Sequence, residues 1–386
     1  MDRRTVIKAL MGGLAFPVVP IQIEAAAKKL NRRLILIELQ GANDGLNTIV
    51  PHIDPNYKKL RPRIHLKKDE IIPVENDLAF NNSMENMVDI WNSGELAIVL
   101  GLGYPGANRS HFKSIALWET GGDGKRGVGR TGWLTDDING MKGANAVDAH
   151  GISLDGGMGV FASPDGTWVS MTSIRKFITL EHHTTEKVET NNPALSLLLD
   201  RSNTLNTAMD SISKKLRKKD KNFRVRGDKL GEQFELALNC ISANVDTPVI
   251  KVSHGGFDTH ENQKWSHGRL LRDLSRSIFD TRKHLIDMGE WDNTLIMTYS
   301  EFGRRAYENK SEGTDHGTAA PHFLIGGKIN GGFYGEQPSL SQLKDGDMEF
   351  TTDYRSIYNT ILESWFSIPH NKFSSFKIPG LQKILG

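Results

Sequence analysis

The stretch RLILIEL, residues 33–39, decides the fold class of this chain of 386 residues. This apolar run leads into a turn of glycine, asparagine and aspartate at residues 41–45 (GANDG), and such a run is typical of a strand that is buried in a parallel sheet. Further runs of this kind follow along the chain. They are residues 95–100 (ELAIVL), 248–253 (PVIKVS), 293–299 (NTLIMTY) and 323–325 (FLI).

Helical patterns separate these predicted strands, at residues 84–91, 110–120, 131–138, 195–216, 229–243, 267–288 and 353–366. Strands that alternate with helices predict an α/β fold with a mostly parallel central sheet, covered by helices on both faces. The glycine-rich segment 147–172 carries brief alternating runs that predict hairpins. Because the chain shows no repeat and no clean linker, we expect one large α/β domain over residues 28–386, with residues 173–246 as a helical and loop insertion.

Residues 1–27 have the pattern of a twin-arginine signal peptide. Arg3 and Arg4 precede a weakly apolar stretch at residues 9–23, and Ala25-Ala26-Ala27 supplies small residues for cleavage. We therefore expect the twin-arginine translocase to be a partner during export, a location in the periplasm or outside the cell, and no membrane span in the mature form. The alternative is a plain amphipathic N-terminal arm.

The composition excludes several classes of protein and site. Lys and Arg number 48 against 46 Asp and Glu, a net charge of +2, so no basic surface indicates nucleic-acid binding. The single cysteine, Cys240, excludes a disulfide within the chain and a cysteine-based zinc site. Histidine with aspartate or glutamate is then the remaining way to bind a transition metal, and the chain has 13 histidines.

Acidic and histidine side chains recur where the predicted strands end. In open α/β sheets the ligand crevice lies beyond the carboxyl ends of the strands, so we expect these side chains to meet there. They predict a mixed histidine and carboxylate site for a divalent metal, either zinc or one of manganese, calcium and magnesium. The predicted ligands are Asp44, Asp258, His260, Glu301, Asp315 and His316.

Structural alternatives stay open for several of these residues. Asp44 lies in an Asn-Asp-Gly sequence that also favours a plain turn, and Asp258 has the alternative of capping the following helix. Glu301 has the alternative of pairing with a nearby arginine. Asp315 has the alternative of orienting His316 by a hydrogen bond in place of binding metal.

Ser110 is the candidate nucleophile. It opens a predicted helix, where unpaired backbone N–H groups and the helix dipole favour an anionic group. Arg109 beside it is suited to clamp a phosphate or sulfate, and His111 is suited to assist or to bind the metal. The alternative for Ser110 is an ordinary helix cap.

Seven segments together form a specific, ordered set of motifs: LQGANDGLN (39–47), NRSHFKSIALWETG (108–121), GRTGWL (129–134), SHGGFDTHENQ (253–263), YSEFGRR (299–305), GTDHGTAAPHFLIGG (313–327) and TTDYRSIYNTILESWF (351–366). In these segments the chain resembles the DUF1501 family, a group of exported proteins related to the alkaline phosphatase and sulfatase superfamily. The resemblance implies an alkaline phosphatase-like three-layer α/β/α sandwich. It also implies metal binding by Asp44, Asp258, His260 and His316, with a nucleophile at the position of Ser110.

Two departures from the superfamily pattern matter for function. Phosphatases of this kind usually have Asp-His where this chain has Ser300-Glu301, which disfavours a standard centre of two zinc ions. The residues after Ser110 lack the proline and arginine that formylglycine formation in sulfatases requires.

Three functional hypotheses follow. The first is an exported metal-dependent hydrolase of phosphate or sulfate esters, acting on an anionic small-molecule or saccharide ester. The second is a non-catalytic binding or assembly protein of the cell envelope, with Tyr104, Trp133 and Trp265 as candidates for a saccharide groove. The third is group transfer to an acceptor on the same scaffold.

Overall fold

The first apolar run forms the central strand of a large sheet. In this computed structural model, which describes residues 32–75, 77–141, 147–179, 190–218, 222–378, 380 and 384, the run is strand β1, Arg33–Gln40. It pairs in parallel with a strand on each side. Its side chains alternate between two apolar cores, with Ile35 and Ile37 in one and Leu34 and Leu36 in the other, as expected for a strand buried on both faces. The predicted signal peptide, residues 1–27, lies outside the described residues.

The described residues form a main sheet of nine strands in the order β11-β5-β10-β9-β1-β8-β6-β7, with β14 beside β5. All its neighbouring pairs are parallel except those of β10, which runs against β5 and β9. The strands are β1, β5 (Leu96–Gly103), β6 (Gly151–Ser153), β7 (Trp168–Ser170), β8 (Val249–Gly255), β9 (Thr294–Tyr299), β10 (Ala320–Ile325), β11 (Gly332–Tyr334) and β14 (Thr352–Asp353). The predicted α/β fold with a mostly parallel central sheet is confirmed.

Two small sheets lie outside the main one in the described part of the chain. One has three antiparallel strands and the other is a two-stranded hairpin. Their strands are β2 (Ile49–Val50), β3 (Ile71–Pro73) and β4 (Ala79–Asn81), and β12 (Leu343–Lys344) with β13 (Asp347–Met348).

Helices cover both faces of the main sheet, so the domain has three layers. One core packs under α2, α7 and α8, and the other under α3, α4 and α9. The helices are α1 (Pro55–Leu60), α2 (Glu85–Asn92), α3 (His111–Thr120), α4 (Thr135–Asn139), α5 (Ile174–Thr179), α6 (Pro193–Lys218), α7 (Asp228–Ser242), α8 (Gln263–Asp287) and α9 (Arg355–Thr360).

The region 173–246, predicted as an insertion, contributes to this packing. Its last helix, α7, places Phe234 and Leu238 in the same core as β8. The helix predicted at residues 353–366 is α9 followed by a π-helical turn, Ile361–Trp365. Among the described residues, no helix combines the length and the apolar character needed to cross a bilayer.

The hairpins predicted for residues 147–172 are wrong. Strands β6 and β7 lie side by side in parallel, and the chain between them passes through a 3-10 turn, Gly159–Phe161. The alternating runs were correctly strands, but a connection of this length also allows a parallel crossover.

The fold places the loops of the candidate site together. Strands β1, β8 and β9 are parallel neighbours, so the loops at residues 41–44, 256–262 and 300–305 leave from the same edge of the sheet. Strand β10 runs in the opposite direction, so the segment that enters it, residues 313–319, reaches that edge as well.

Candidate metal centre

Three histidines and one aspartate converge at this edge of the sheet. His316 Nε2 lies 3.1 Å from His111 Nε2 and 3.0 Å from His260 Nε2. Asp258 Oδ1 lies 3.0 Å from His260 Nε2, 3.2 Å from His316 Nε2 and 3.6 Å from His111 Nε2. The structure thus gathers His111, Asp258 and His316 into one group of mutually close donor atoms, and His260 contacts two of the three.

The second ring nitrogen of each histidine faces a hydrogen-bond acceptor. His111 Nδ1 lies 2.6 Å from Glu301 Oε1, His260 Nδ1 lies 3.2 Å from Asp315 Oδ1, and His316 Nδ1 lies 2.9 Å from the carbonyl oxygen of Arg109. Carboxylate and carbonyl oxygens accept and cannot donate. Each Nδ1 therefore carries the hydrogen when the ring is neutral, and each Nε2 presents a lone pair.

This arrangement fits a bound divalent metal ion. When all three rings are neutral with the hydrogen on Nδ1, the lone pairs of His260 and His111 both point at that of His316, which is unfavourable. Arg304 Nη1 lies 3.5 Å from His260 Nε2 and offsets only part of this repulsion. A metal at the convergence point relieves it, and the orientation of each Nδ1–H by an acceptor is the usual support of histidine ligands. The separations of 3.0–3.6 Å between these donor atoms are also close to the spacing of about 3.4 Å between ligands in a tetrahedral zinc site.

Glu301 and Asp315 occupy supporting positions. Each carboxylate contacts a ring Nδ1, and neither belongs to the group of mutually close donor atoms. Burial alone would raise the pKa of Glu301, but hydrogen bonds from His111, Ser300 and the Gly41 N–H outweigh it and lower that pKa below its ordinary value. Glu301 is therefore ionised, and its hydrogen bond raises the pKa of His111. The role that the structure supports for both residues is orientation of a histidine, in place of the metal binding predicted for them.

Arg304 organises the loops around the aspartate. Its buried guanidinium donates to the carbonyl oxygens of Gly41, Ala42, Phe257 and Thr314 and lies 2.5 Å from Asp258 Oδ1. Burial would raise the pKa of Asp258, but the hydrogen bond and charge of Arg304 outweigh it and lower that pKa. One side chain thus ties together three loops of the site and keeps its carboxylate ionised.

Asp44 is not brought into this group. It is fully buried and lies 2.6 Å and 2.9 Å from the two terminal nitrogens of Arg61, and Gln263 donates to the same carboxylate. Burial would raise the pKa of Asp44, but Arg61 outweighs it and lowers that pKa. Both oxygens are already engaged, so the structure supports a buried ion pair in place of the metal ligand predicted from the sequence.

Ser110 stands directly before His111 in the sequence. It is the N-cap residue of α3, and its hydroxyl makes no capping bond, nor any other hydrogen bond among the described residues. Its neighbour Arg109 contributes a carbonyl oxygen to His316, while the guanidinium of Arg109 pairs with Asp347. The predicted helix start is therefore part of the site, and the serine is exposed.

Three further histidines and two of the aromatic candidates lie outside this group of donor atoms. His254, His267 and His322 are buried in the protein, and burial lowers the pKa of His267 to about 4 and that of His322 to about 3. Tyr104 and Trp133, proposed for a saccharide groove, are buried as well.

Sequence reasoning missed the structural roles of Arg61 and Gln263, which hold Asp44. Neither residue stands at the end of a strand. In the sequence, the one link between Gln263 and the site is its position shortly after Asp258, at the start of the following helix.

Comparison with solved structures gives distant likenesses. The zinc complex of the C-terminal periplasmic domain of EcEptC from Escherichia coli is 8% identical, with 91% of this chain and 85% of that chain covered and a TM-score of 0.44. A protein in the alkaline phosphatase superfamily from Vibrio parahaemolyticus is 9% identical, with coverage of 81% and 63% and a TM-score of 0.37. The lipoteichoic acid synthase LtaP from Listeria monocytogenes is 10% identical, with coverage of 80% and 68% and a TM-score of 0.28. TM-scores below 0.5 carry no information about the chemistry of this chain.

Sequence comparison assigns the family. A search of curated proteins finds no match. The family model described as "Protein of unknown function (DUF1501)" matches residues 98–375, a span that includes His111, Asp258, His260 and His316 and covers more than half of the chain. The chain therefore belongs to the DUF1501 family.

Proposed function

We propose that the protein is an exported, metal-dependent hydrolase of phosphate or sulfate esters. The observation that carries the proposal is the convergence of three imidazole Nε2 atoms on one Asp258 oxygen. One of these rings, His111, directly follows Ser110, whose hydroxyl makes no capping bond. Export is proposed from the twin-arginine pattern of residues 1–27.

The donor set favours zinc among the divalent metals. His111, His260, His316 and Asp258 would hold the ion, and a set of three imidazoles with one carboxylate matches the ligands that zinc prefers. Calcium and magnesium take oxygen ligands and are disfavoured here. When bound, such an ion polarises an ester oxygen and lowers the pKa of a nearby hydroxyl group.

The chain's own residues supply the other parts of the reaction. Ser110 is the proposed nucleophile, because its hydroxyl is exposed, unpaired and adjacent in sequence to the ligand His111. The N–H groups of the first turn of α3 lack partners within the helix. They are placed to receive an anionic ester oxygen, with the helix dipole adding a favourable field. Glu301 keeps the ring of His111 in position through its hydrogen bond to Nδ1.

The test is turnover by the purified mature protein, loaded in turn with zinc, manganese, magnesium and calcium. Aryl phosphate, aryl phosphodiester and aryl sulfate serve as substrates. We expect zinc-dependent hydrolysis of at least one ester, a loss of about 100-fold or more in Ser110→Ala, and no change in Ser93→Ala, an exposed serine outside the site. No turnover of any ester by the metal-loaded protein, or full turnover by Ser110→Ala, would contradict the proposal.

A second candidate is binding without hydrolysis. The observation that favours it is the exposure of two aromatic side chains near the site. Phe112 follows His111 and is 88% exposed, and Trp265, in the first turn of α8, is 76% exposed. Aromatic rings at a surface are suited to stack on a ligand. Saccharide binding that weakens in Trp265→Ala, in a protein that holds metal but hydrolyses none of the esters, would support this second function.

A further inference from the structure

A buried carboxylate lies between two arginines at the rim of the metal centre. Asp347 stands in the hairpin of β12 and β13 and is 3% exposed. Its Oδ2 atom accepts a hydrogen bond from Arg109 Nη2, and its Oδ1 atom lies 3.7 Å from Arg305 Nε. Oδ1 is buried and has no hydrogen-bond donor among the described residues. Asp347 is therefore only half satisfied by the two arginines beside it.

Both arginines are tied to the site through their backbones. The carbonyl oxygen of Arg109 accepts from His316 Nδ1 at 2.9 Å, and the N–H of Arg305 donates to the carbonyl oxygen of Asp315 at 3.0 Å. Arg109 also precedes Ser110, and Arg305 follows Arg304. The pair of guanidinium groups thus belongs to the border of the same site as the nucleophile and the histidines.

The charges and donors of this group are unbalanced. Two guanidinium groups face one carboxylate, which leaves one net positive charge. Each guanidinium has five N–H donors. Arg109 uses one nitrogen on Asp347, and Arg305 uses Nη1 on the hydroxyl of Tyr307. Several donors therefore remain for another anion, and the side chains of Arg109 and Arg305 are 39% and 22% exposed to solvent.

The hairpin itself is held in place. Met348 packs in a small core with Leu46 and Ala306, and its carbonyl oxygen accepts a hydrogen bond from Thr318. An incoming anion can therefore bind the two guanidinium groups when these rotate away from Asp347, and the hairpin does not have to move.

We propose that Arg109 and Arg305 form a second anion-binding subsite, which the carboxylate of Asp347 occupies until an anionic group of the ligand replaces it. This inference rests on the proposed function, since it takes the ligand to be an anionic ester. It narrows the substrate class to esters that carry at least one further anionic group besides the reacting one. Asp347 competes weakly with an incoming anion for the two arginines, because one of its buried oxygens has no hydrogen-bond donor and such burial is costly.

The experiment measures the affinity of the full chain for inorganic sulfate by calorimetry, with the metal bound and after its removal by a chelator. We expect Asp347→Asn to bind sulfate about tenfold more tightly than the natural protein, a change typical of one lost charge contact. We expect the double variant Asp347→Asn/Arg305→Gln to lose this gain. Glu349→Gln is the matched control, because it removes a carboxylate near the same hairpin that pairs with Lys344 and not with the arginines.

Two results would overturn the proposal. One is that sulfate affinity in Asp347→Asn rises no more than in Glu349→Gln. If Asp347→Asn does not fold, the single variants Arg109→Gln and Arg305→Gln are measured instead, after circular dichroism has shown that they fold. The second contradicting result is that both bind sulfate as tightly as the natural protein. Failure of the proposed hydrolase function would show as absent ester turnover and would leave these sulfate affinities unaffected, so the two failures are distinguishable.

Discussion

The Nε2 atoms of His260 and His316 lie 3.0 Å apart, while the Nδ1 atom of each ring faces an oxygen that can only accept. Neutral rings held in this way present two lone pairs to each other. A cation bound between the rings relieves this repulsion, as does a proton on His316 Nε2 that is donated to Asp258 Oδ1 at 3.2 Å. The approach of His111 to the same His316 atom adds a third nitrogen and favours the bound cation.

Metal content is the first prediction. We expect the natural protein to retain a stoichiometric divalent metal after dialysis and His316→Ala to lose it, because His316 contacts all three other donor residues. Elemental analysis measures the content. His284→Ala serves as control, since His284 lies in α8 against Phe223, outside the site. Equal metal content in the two variants would rule out the proposed centre.

Substitution of Glu301 tests whether this carboxylate supports metal binding by orienting the proposed ligand His111. We expect Glu301→Gln to fold and to bind the metal about 10- to 100-fold more weakly, the usual cost of removing a carboxylate that orients a histidine ligand. Competition with a chromophoric chelator measures this affinity. The exposed neighbour variant Glu261→Gln should bind as the natural protein does. A complete loss of metal in folded Glu301→Gln would instead indicate that Glu301 is a direct ligand.

Substitution of Asp44 distinguishes a structural role of this residue from a role in metal binding. We expect Asp44→Asn to lower the free energy of unfolding by about 3–5 kcal/mol, because Arg61 would be left as a buried charge without its partner. Urea unfolding measures this change. We also expect the folded variant to keep its full metal content. Loss of metal with little loss of stability would restore the ligand role that the sequence predicts for Asp44.

The raised pKa of the Glu119 carboxyl group predicts that the stability of the protein depends on pH. Burial and then the charges of Glu38 and Asp155 raise its pKa from 4.5 to about 7, against the opposing effect of Lys251. Because the pKa is higher in the folded state, the protein takes up a proton on folding between these two values, and its free energy of unfolding falls as the pH rises through that window.

Glu119→Gln removes this effect. We expect the variant to gain about 1–3 kcal/mol over the natural protein at pH 8 and almost nothing at pH 4.5, as measured by urea unfolding at both values. Glu85→Gln, at an exposed position in the first turn of α2, should show no such difference between the two pH values. A gain of the same size at pH 4.5 and pH 8 would contradict the assignment.

The sequence was sufficient for the fold because its strongest signals are local. A run such as RLILIEL, followed directly by a glycine-rich turn, favours a strand in a sheet buried on both faces, and the structure pairs it with a strand on each side. The direction of β7 relative to β6 was not predictable in the same way. It depends on the path of the connection over the sheet, and short alternating runs contain no information on that path.

The site was predictable as a location, and the role of each residue was not. The rule that ligands gather beyond strand ends brought together Asp258, His260 and His316, which the structure also unites. Asp44 obeys the same rule, but Arg61, which directly follows α1 and lies 17 residues from Asp44 in the sequence, pairs with its carboxylate. The choice between a ligand and an ion pair thus depends on a partner from another element, which spacing alone does not reveal.

The pairing of β1 has a consequence for how the chain is made. Both of its neighbours, β8 and β9, lie more than about two hundred residues later in the sequence. During synthesis this largely apolar strand is therefore produced early and stays without a partner until most of the chain has left the ribosome. Closing such long loops is slow, and an unpaired apolar strand is prone to aggregate in the meantime. Until strand β9 is complete, residues 33–40 therefore lack both of their neighbours in the sheet.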